Sequence, residues 1–317
     1  MTTLQHWTIA LDLGPADHTL LEYVKLLANI LEPKKIDLIH VEPALDIPPG
    51  LDSELPDLRE KHIEFLRNKL EKLVDEHLTG VATQIDCKVY EGHPFNEMLR
   101  HSRDQETDLL IMGKKASGGQ GLIVRKMARK GPCSLLVVPE TASARISHIL
   151  IPIDFSEYAH ECVIKATNLC RKIPGSSMTI QHVYNSADLY LNRMHETSFE
   201  VEEHLQQKAT LNVKLKQYHE EKIREFVEQY DLNDIFFQTK LSPQTAIQGS
   251  VSKLIMRDAQ KLNADLIIMG AKGQNSPLAV LMGNVAEKVN RLDKKIPLLI
   301  LKKKGENKSL LQALLGG

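Results

Sequence analysis

The chain reads as two tandem α/β units, each a five-stranded parallel sheet of the doubly wound type. Three observations predict this. The sequence repeats itself, its strand-sized apolar runs alternate with helical stretches, and its 317 residues are about twice an ordinary domain.

The repeat is found by laying one half on the other. WTIALDLGPAD (7–17) matches HILIPIDFSEYA (148–159), and Asp12 falls on Asp154 at an offset of 142. LIHVEP (38–43) falls on IQHVYN (180–185) at the same offset. EGHPFNEMLRHSRDQETDLLIMG (91–113) matches QGSVSKLIMRDAQKLNADLIIMG (248–270) at 157, and CSLLVVP (133–139) matches IPLLILK (296–302) at 163. The blocks keep their order, which chance similarity would not preserve.

Each half then parses in one way. An apolar strand ends in Asp, and an amphipathic helix follows, with Leu20, Val24, Leu27 and Ile30 in the first half and Cys162, Ala166 and Leu169 in the second. A second strand ends in His-Val, and a long helix, a third strand and another helix come next. The fourth strand is Asp-Leu-(Leu/Ile)-Ile-Met-Gly, and a glycine loop, a helix and a fifth apolar strand close the unit. Near-continuous apolar strands alternating with helices indicate a parallel sheet covered on both faces, wound by right-handed crossovers. PETASARIS (139–147) is the polar connector, so the expected domains are 1–143 and 144–304, with a tail at 305–317. The second half carries extra residues between Tyr190 and Tyr230 and around LSPQTAIQ (241–248). The lysine run that opens KKKGENKSLLQALLGG is expected to be a solvated end.

Composition narrows the function. Hydrophobic residues make up 42% and charged residues 26%, with a net charge of −1, so no global field favours nucleic acid or an anionic membrane. Runs such as Leu109 to Gly113 are too short to span a bilayer, and MTTLQHWTIALDL lacks the features of a signal peptide, so the expected location is the cytoplasm. Cys87, Cys133, Cys162 and Cys170 form no C-x-x-C pair and read as buried small hydrophobes. The histidines show no metal-ligand spacing, and His40 and His182, at matching strand ends, read as structural. Arg125, Lys126, Arg129 and Lys130 lack interleaved aromatics and read as a solvated helix face.

Ligands of open parallel sheets bind at the carboxyl ends of the strands, where strand order reverses. There the second half offers MGAKGQNSPLAVLMGNVAEKV (269–289), with Gly270, Gly273 and Gly283 in the spacing G-x2-G-x9-G and Asn284 opening the next helix. Glycines admit phosphate oxygens to backbone N–H groups, and a helix N-terminus adds orphan donors and a favourable dipole. Asn284 is a capping residue type whose amide can also donate to phosphate. In the first half the loop MGKKASGGQGLIVRKMARKGPC (112–133) has Ala116 in place of Gly273 and Leu122 in place of Asn284. Only eight residues separate Gly113 from Gly121, against thirteen from Gly270 to Gly283. That loop is too short to wrap a triphosphate alike; Gly118 and Gly119 with Lys114 and Lys115 suit at most a smaller anion. SGGQG (117–121) follows the fourth strand and lacks an Asp, which excludes an adenylating-enzyme phosphate loop.

With the repeat, Asp154 and the glycine loop in view, the whole chain resembles a tandem universal stress protein. That resemblance implies the adenine-nucleotide alpha-hydrolase-like fold and ATP, with Mg2+, held through the family motif G-x2-G-x9-G-(S/T), from which Asn284 departs. Carried over residue by residue, it puts Gly270, Gly273, Gly283 and Asn284 on the phosphates, Asp154 on the ribose beside Pro152 and Ile153, and Val183 against adenine. It also implies pairing of the two last strands, Leu135 to Val138 with Leu298 to Leu301, in an internal pseudo-dimer; homodimerisation of whole chains stays open.

The function so implied is an ATP-binding stress-response protein whose second domain holds a regulatory nucleotide. The alternatives are an interaction scaffold without nucleotide and a slow ATPase or nucleotidyl-transfer enzyme. The loop from Gly270 to Gly283 contains no acidic residue, which disfavours the enzyme and leaves no catalytic residue to nominate. The protein partner stays unknown.

Overall fold

The computed structural model of the chain describes residues 4–44, 56–115, 121–191, 201–245, 247–274, 282–292 and 295–303. Ala116, Gly118 and Gly119, the middle of the 270–283 loop and the tail at 305–317 lie outside the described residues. The chain divides into two compact units. One comprises Met1–Arg145, Pro277–Met282 and Lys294–Gly317; the other comprises Ile146–Ser276 and Gly283–Asp293.

In the first repeat β1 (His6–Leu11), α1 (Asp17–Leu31), β2 (Lys35–Glu42), α2 (Pro56–His77), β3 (Gln84–Glu91), α3 (Pro94–Asp104), β4 (Leu109–Lys114), α4 (Gly121–Lys130) and β5 (Ser134–Pro139) follow in turn. The second runs β6 (His148–Ile153), α5 (Glu157–Lys172), β7 (Ser177–Asn185), α6 (Ala187–Leu191), α7 (Val201–Val227), β8 (Phe236–Gln244), α8 (Val251–Lys261), β9 (Leu266–Gly270), α9 (Asn284–Leu292) and β10 (Leu298–Leu301).

In the first unit the strand order is β3-β2-β1-β4-β5, with β1 parallel to both β2 and β4 and β4 parallel to β5. The second unit repeats the pattern, with β6 parallel to both β7 and β9 and β7 parallel to β8. Order reverses at β1/β4 and at β6/β9. The expected pairing of last strands is present within the first unit, where β10 runs antiparallel to β5 with Leu298 opposite Val137 and Ile300 opposite Leu135. The pairing covers an apolar strand edge that would otherwise invite aggregation.

The elements follow from their sequences. All of β5 is buried, as are Leu109 to Met112 of β4 and Leu266 to Met269 of β9, as strands covered on both faces must be. α1 buries Leu20, Leu21, Tyr23, Val24, Leu27 and Ala28, one stripe at helical spacing, and ends on Glu32 in the left-handed region. α5 starts where the Ser156 hydroxyl accepts from the Ala159 N–H at 3.4 Å. Cys133, Cys162 and Cys170 are buried, and burial pushes the Cys133 thiol up to about 11, so these are packing residues rather than nucleophiles.

The Asp that opens the fourth-strand motif has a structural task in both repeats. Asp108 Oδ2 accepts from the N–H groups of Gln5 and His6, both at 3.0 Å, while Asp108 N–H donates to the His6 carbonyl at 2.8 Å. Asp265 does the same, accepting from Ser147 N–H at 2.9 Å and His148 N–H at 3.2 Å and donating to the His148 carbonyl at 2.9 Å. Each clamp satisfies the backbone donors entering the first strand and fixes its register against the fourth.

Two features were not expected. Lys302, first of the lysine run, is not a solvated end; it is 6% exposed, and its ammonium donates to the Gly131 carbonyl at 2.8 Å and the Met127 carbonyl at 3.4 Å. It is held at the carboxyl end of α4, where the helix dipole favours a cation, whereas Lys303 is exposed. The first unit also encloses a charge network about Asp37, which is fully buried, with His6 Nε2 at 2.8 Å and Lys35 and Lys88 at 3.2 Å. Burial would raise the Asp37 carboxyl, but hydrogen bonds from His101, His6 and Lys88 outweigh it and hold the group far below the usual carboxylate range. Thr179 stands at the matching place in the second unit and bonds His148 Nε2 at 2.8 Å.

Asp37→Ala leaves the facing cations without their acceptor and is expected to cost about 3 kcal/mol. Thr179→Ala should cost about 1 kcal/mol. Urea denaturation of each variant measures both, and equal losses would refute the role of the network.

Candidate functional site

Parallel strands deliver their carboxyl ends to one edge, and at that edge the second unit opens a cavity of about 680 Å3. The eight residues expected from sequence all line it: Pro152, Ile153, Asp154, Val183, Gly270, Gly273, Gly283 and Asn284. They come from the ends of β6, β7 and β9 and the start of α9, which are far apart in sequence and brought together by parallel topology.

Asp154 holds the β6 end of the site in shape. Its Oδ1 accepts from Ser156 N–H at 3.2 Å, closing an Asx turn about Phe155, whose φ of 62° lies in the left-handed region. Asp12 does the same in the first unit, accepting from Gly14 N–H at 3.0 Å about Leu13 at φ 57°. The second oxygens differ. Asp154 Oδ2 accepts from Gln274 N–H at 2.8 Å and so ties the glycine loop to β6, whereas Asp12 Oδ2 pairs with the Lys115 ammonium at 2.6 Å.

Two glycines are explained by close approach. A Cβ on Gly273 would lie 2.5 Å from Asp154 Oδ2. A Cβ on Gly283 would lie 3.3 Å from the Ala271 carbonyl, to which Gly283 N–H donates at 2.6 Å. That bond joins the two ends of the loop and presents Asn284, exposed and first in α9, to the cavity.

The structure adds residues that the sequence did not single out. α7 contributes His219 and Lys222 to the lining, and β7 contributes Gln181 and Tyr184. His182 bonds the Ile153 carbonyl through Nδ1 at 3.1 Å, as His40 bonds Leu11 at 2.9 Å, so both histidines tie the second strand to the first. With Nδ1 protonated for that bond, His182 Nε2 accepts from His219 Nδ1 at 3.1 Å. His219 stacks on Tyr184 with ring centroids 4.6 Å apart, and the Lys222 ammonium sits 5.1 Å from the Phe155 ring centre. Burial, with His182 and Lys222 close by, pushes His219 down to about 4, so it is neutral at physiological pH.

Gln181 is fully buried and part of a closed triangle. Its amide N–H donates to Asp258 Oδ2 at 2.7 Å and to Ser242 Oγ at 3.2 Å, and the Ser242 hydroxyl donates to Asp258 at 2.6 Å. The carboxylate fixes which end of the amide faces it, leaving Gln181 Oε1 an acceptor without a partner among the described residues. A buried unpaired acceptor costs about 1–3 kcal/mol, and a ligand that donates to it recovers that cost. The described lining includes one carboxylate, Asp154, against two ammonium groups, Lys222 and Lys272. The cavity therefore favours an anion that carries hydrogen-bond donors. Among the described residues no group of three or more His, Cys, Asp or Glu is placed to hold a metal, and no helix is long and apolar enough to cross a membrane.

These features define a doubly wound α/β protein with a cleft at the strand-order reversal. The chain belongs to the universal stress protein family, whose model matches it twice, over residues 4–139 and 145–302. A universal stress protein of Methanocaldococcus jannaschii is 27% identical over 172 residues, which is 98% of that protein but 51% of this chain. Among solved structures, a universal stress protein from Archaeoglobus fulgidus aligns over 96% of this chain and 98% of its own, with a TM-score of 0.59 at 17% identity. A putative universal stress protein from Pseudomonas aeruginosa aligns over 100% and 99%, with a TM-score of 0.61 at 15% identity. At such identities the two structures show a shared fold.

The lowered pKa of His219 has a consequence for stability. The folded value, about 4, lies below the ordinary histidine value of 6.5 that applies to the unfolded chain, so the folded state binds fewer protons. The stability this confers is complete above pH 6.5 and is lost as pH falls towards 4. Allowing for solvent screening of a half-buried ring, the loss is roughly 1 kcal/mol, or about 2–4 °C in melting temperature. His219→Gln should flatten the melting-temperature profile across that window, and an unchanged slope would show that the ring does not titrate as described.

Proposed function

We propose that the second repeat binds ATP, one molecule per chain, and that the nucleotide serves as a regulatory ligand. The observation that carries this reading is the single cavity lined by all eight residues that the family motif nominates. Its volume lies within the range of small-molecule sites, and its charge balance suits a polyphosphate. In this reading Asn284 and the backbone N–H groups at the start of α9 hold phosphate oxygens, with Lys222 and Lys272 supplying positive charge. Asp154 accepts from the ribose hydroxyls, since each carboxylate oxygen retains a lone pair beyond the bond it already accepts. Val183 gives adenine an apolar contact. Gln181 Oε1 is the complement of the amine at C6 of adenine, a position where guanine carries a carbonyl.

The reading assigns the nucleotide to binding because Asp154 is the one carboxylate in the described lining, and its oxygens are engaged by backbone N–H groups. Mg2+ would accompany the nucleotide on its phosphates and supply charge neutralisation there.

Calorimetric titration of the full chain with MgATP should give a stoichiometry near one. GTP should bind at least ~10-fold more weakly, a difference of about 1.4 kcal/mol or more. Asn284→Leu should cost at least ~10-fold in ATP affinity without unfolding the chain, because the matching Leu122 is tolerated at 52% exposure. Asp12→Ala should leave ATP affinity unchanged. Two equivalent sites, or no binding, would overturn the reading.

A further inference from the structure

The first unit holds its own cavity, of about 370 Å3, at the carboxyl ends of β1, β2 and β4. Its position repeats that of the larger cavity, but its charge is reversed. Among the described residues, Asp12, Asp17 and Glu42 line it against a single ammonium, Lys115. Two of these carboxylates have partners: Lys115 Nζ lies 2.6 Å from Asp12, and His40 Nε2 lies 3.1 Å from Glu42. Asp17 does not. It is 4% exposed, and its Oδ2 has no hydrogen-bond partner among the described residues.

This carboxylate has no counterpart in the second repeat. Position 17 falls on 159 at the offset of 142, and Ala159 lines the larger cavity at the same place. Asp17 is the first residue of α1, where backbone N–H groups of residues 12 to 14 favour its ionised form. Burial and the neighbouring charge of Asp12 oppose them and win, raising the carboxyl to about 6. The helix end therefore does not compensate the buried charge. The remaining walls, including Ile39, Met98, Met112 and Val124, are apolar.

We propose that this cavity binds a compact organic cation, an apolar body bearing a protonated amine, with the ammonium on Asp17. An amine gives the unpaired oxygen a charge-assisted hydrogen bond and offsets the excess of carboxylates, while the apolar walls take the body. A triphosphate is excluded by the same carboxylates and by Leu122, which has no hydrogen bond to give.

Titration of the full chain at pH 7.5 with three indoles that differ at one end tests this. Tryptamine should bind saturably and shift the 13C-methyl signals of Met98 and Met112 but not that of Met269, which lines the larger cavity. Tryptophol, its neutral hydroxyl counterpart, should bind at least ~10-fold more weakly, and indole-3-propionate should not bind. Asp17→Asn should lower tryptamine affinity at least ~10-fold with an unchanged circular dichroism spectrum. No tryptamine binding up to millimolar concentration, equal affinity for the three indoles, shifts confined to Met269, or full affinity in the Asn variant would each overturn the proposal. Should Asp17→Asn fail to fold, the ligand series on the unaltered chain decides alone.

Discussion

Each repeat depends on the pairing of its first strand with its fourth, secured by one carboxylate. Asp108 and Asp265 accept from the two N–H groups that enter β1 and β6 and return a bond from their own N–H to the same strand. The clamp sits at the amino ends of the two strands at which strand order reverses. A slip of one residue would turn every side chain to the other face, so the register fixed there is also the register at the carboxyl ends. Asp12 and Asp154 are thereby brought beside Gly113 and Gly270, and cavities arise where the helices that follow diverge. The ligand edge inherits its geometry from the opposite edge of the sheet.

On that common frame the repeats have kept what the sheet needs and changed what a ligand would meet. The clamp, the Asx turn and the histidine tie from second strand to first occur in both. Asp37 answers to Thr179, so one unit buries a charge network where the other buries a hydroxyl. Ile39 answers to Gln181, Asp17 to Ala159, and Lys115, paired with Asp12, to Lys272. The Ile39/Gln181 and Asp17/Ala159 exchanges alter the polarity of a cavity wall while leaving the strand and helix pattern intact. A buried polar group is accommodated where its charge is met, as around Asp37, and stands out where one oxygen is left over, as at Asp17 Oδ2 and Gln181 Oε1.

Much of this was legible in the sequence because it rests on periodic or repeated signals. Apolar runs marked the parallel strands, and the doubled blocks marked two units. Parallel topology then placed Asp154, Val183 and Gly270 at one edge. What stayed hidden depends on contacts with no local signature. His219 and Lys222 lie in α7, the counterpart of α2, where the second repeat carries extra residues and no matched block aligns the two, and they reach the cavity because α7 packs against β7 and β8. Lys302 belongs to a charged run that reads as solvent-facing, yet the carbonyls at the end of α4 draw its ammonium inward. Asp17 stands at a helix start, where acidic residues are favoured whether buried or not, so its burial has no signature in the sequence.

The glycines of the G-x2-G-x9-G spacing take on a different meaning once the loop is seen. Gly273 is small because Asp154 presses against it, and Gly283 is small because it bonds and abuts the Ala271 carbonyl. Both restrictions are met by the protein's own atoms, with no ligand needed to account for them. A loop of this kind would keep its glycines for closure alone, so the spacing reports a shape that can present a helix N-terminus, not the identity of what binds there. The chemical argument for a nucleotide rests instead on positions that closure does not constrain. Asn284 is exposed, Lys222 leans in from a helix outside the motif, and Gln181 holds an acceptor that the fold leaves unpaired. The same reasoning applies in the first unit, where a shorter loop removes the wrap suited to phosphates and the unpaired Asp17 sets a different preference. In both cavities, the oxygen that the packing does not satisfy is the one whose partner a ligand would have to supply.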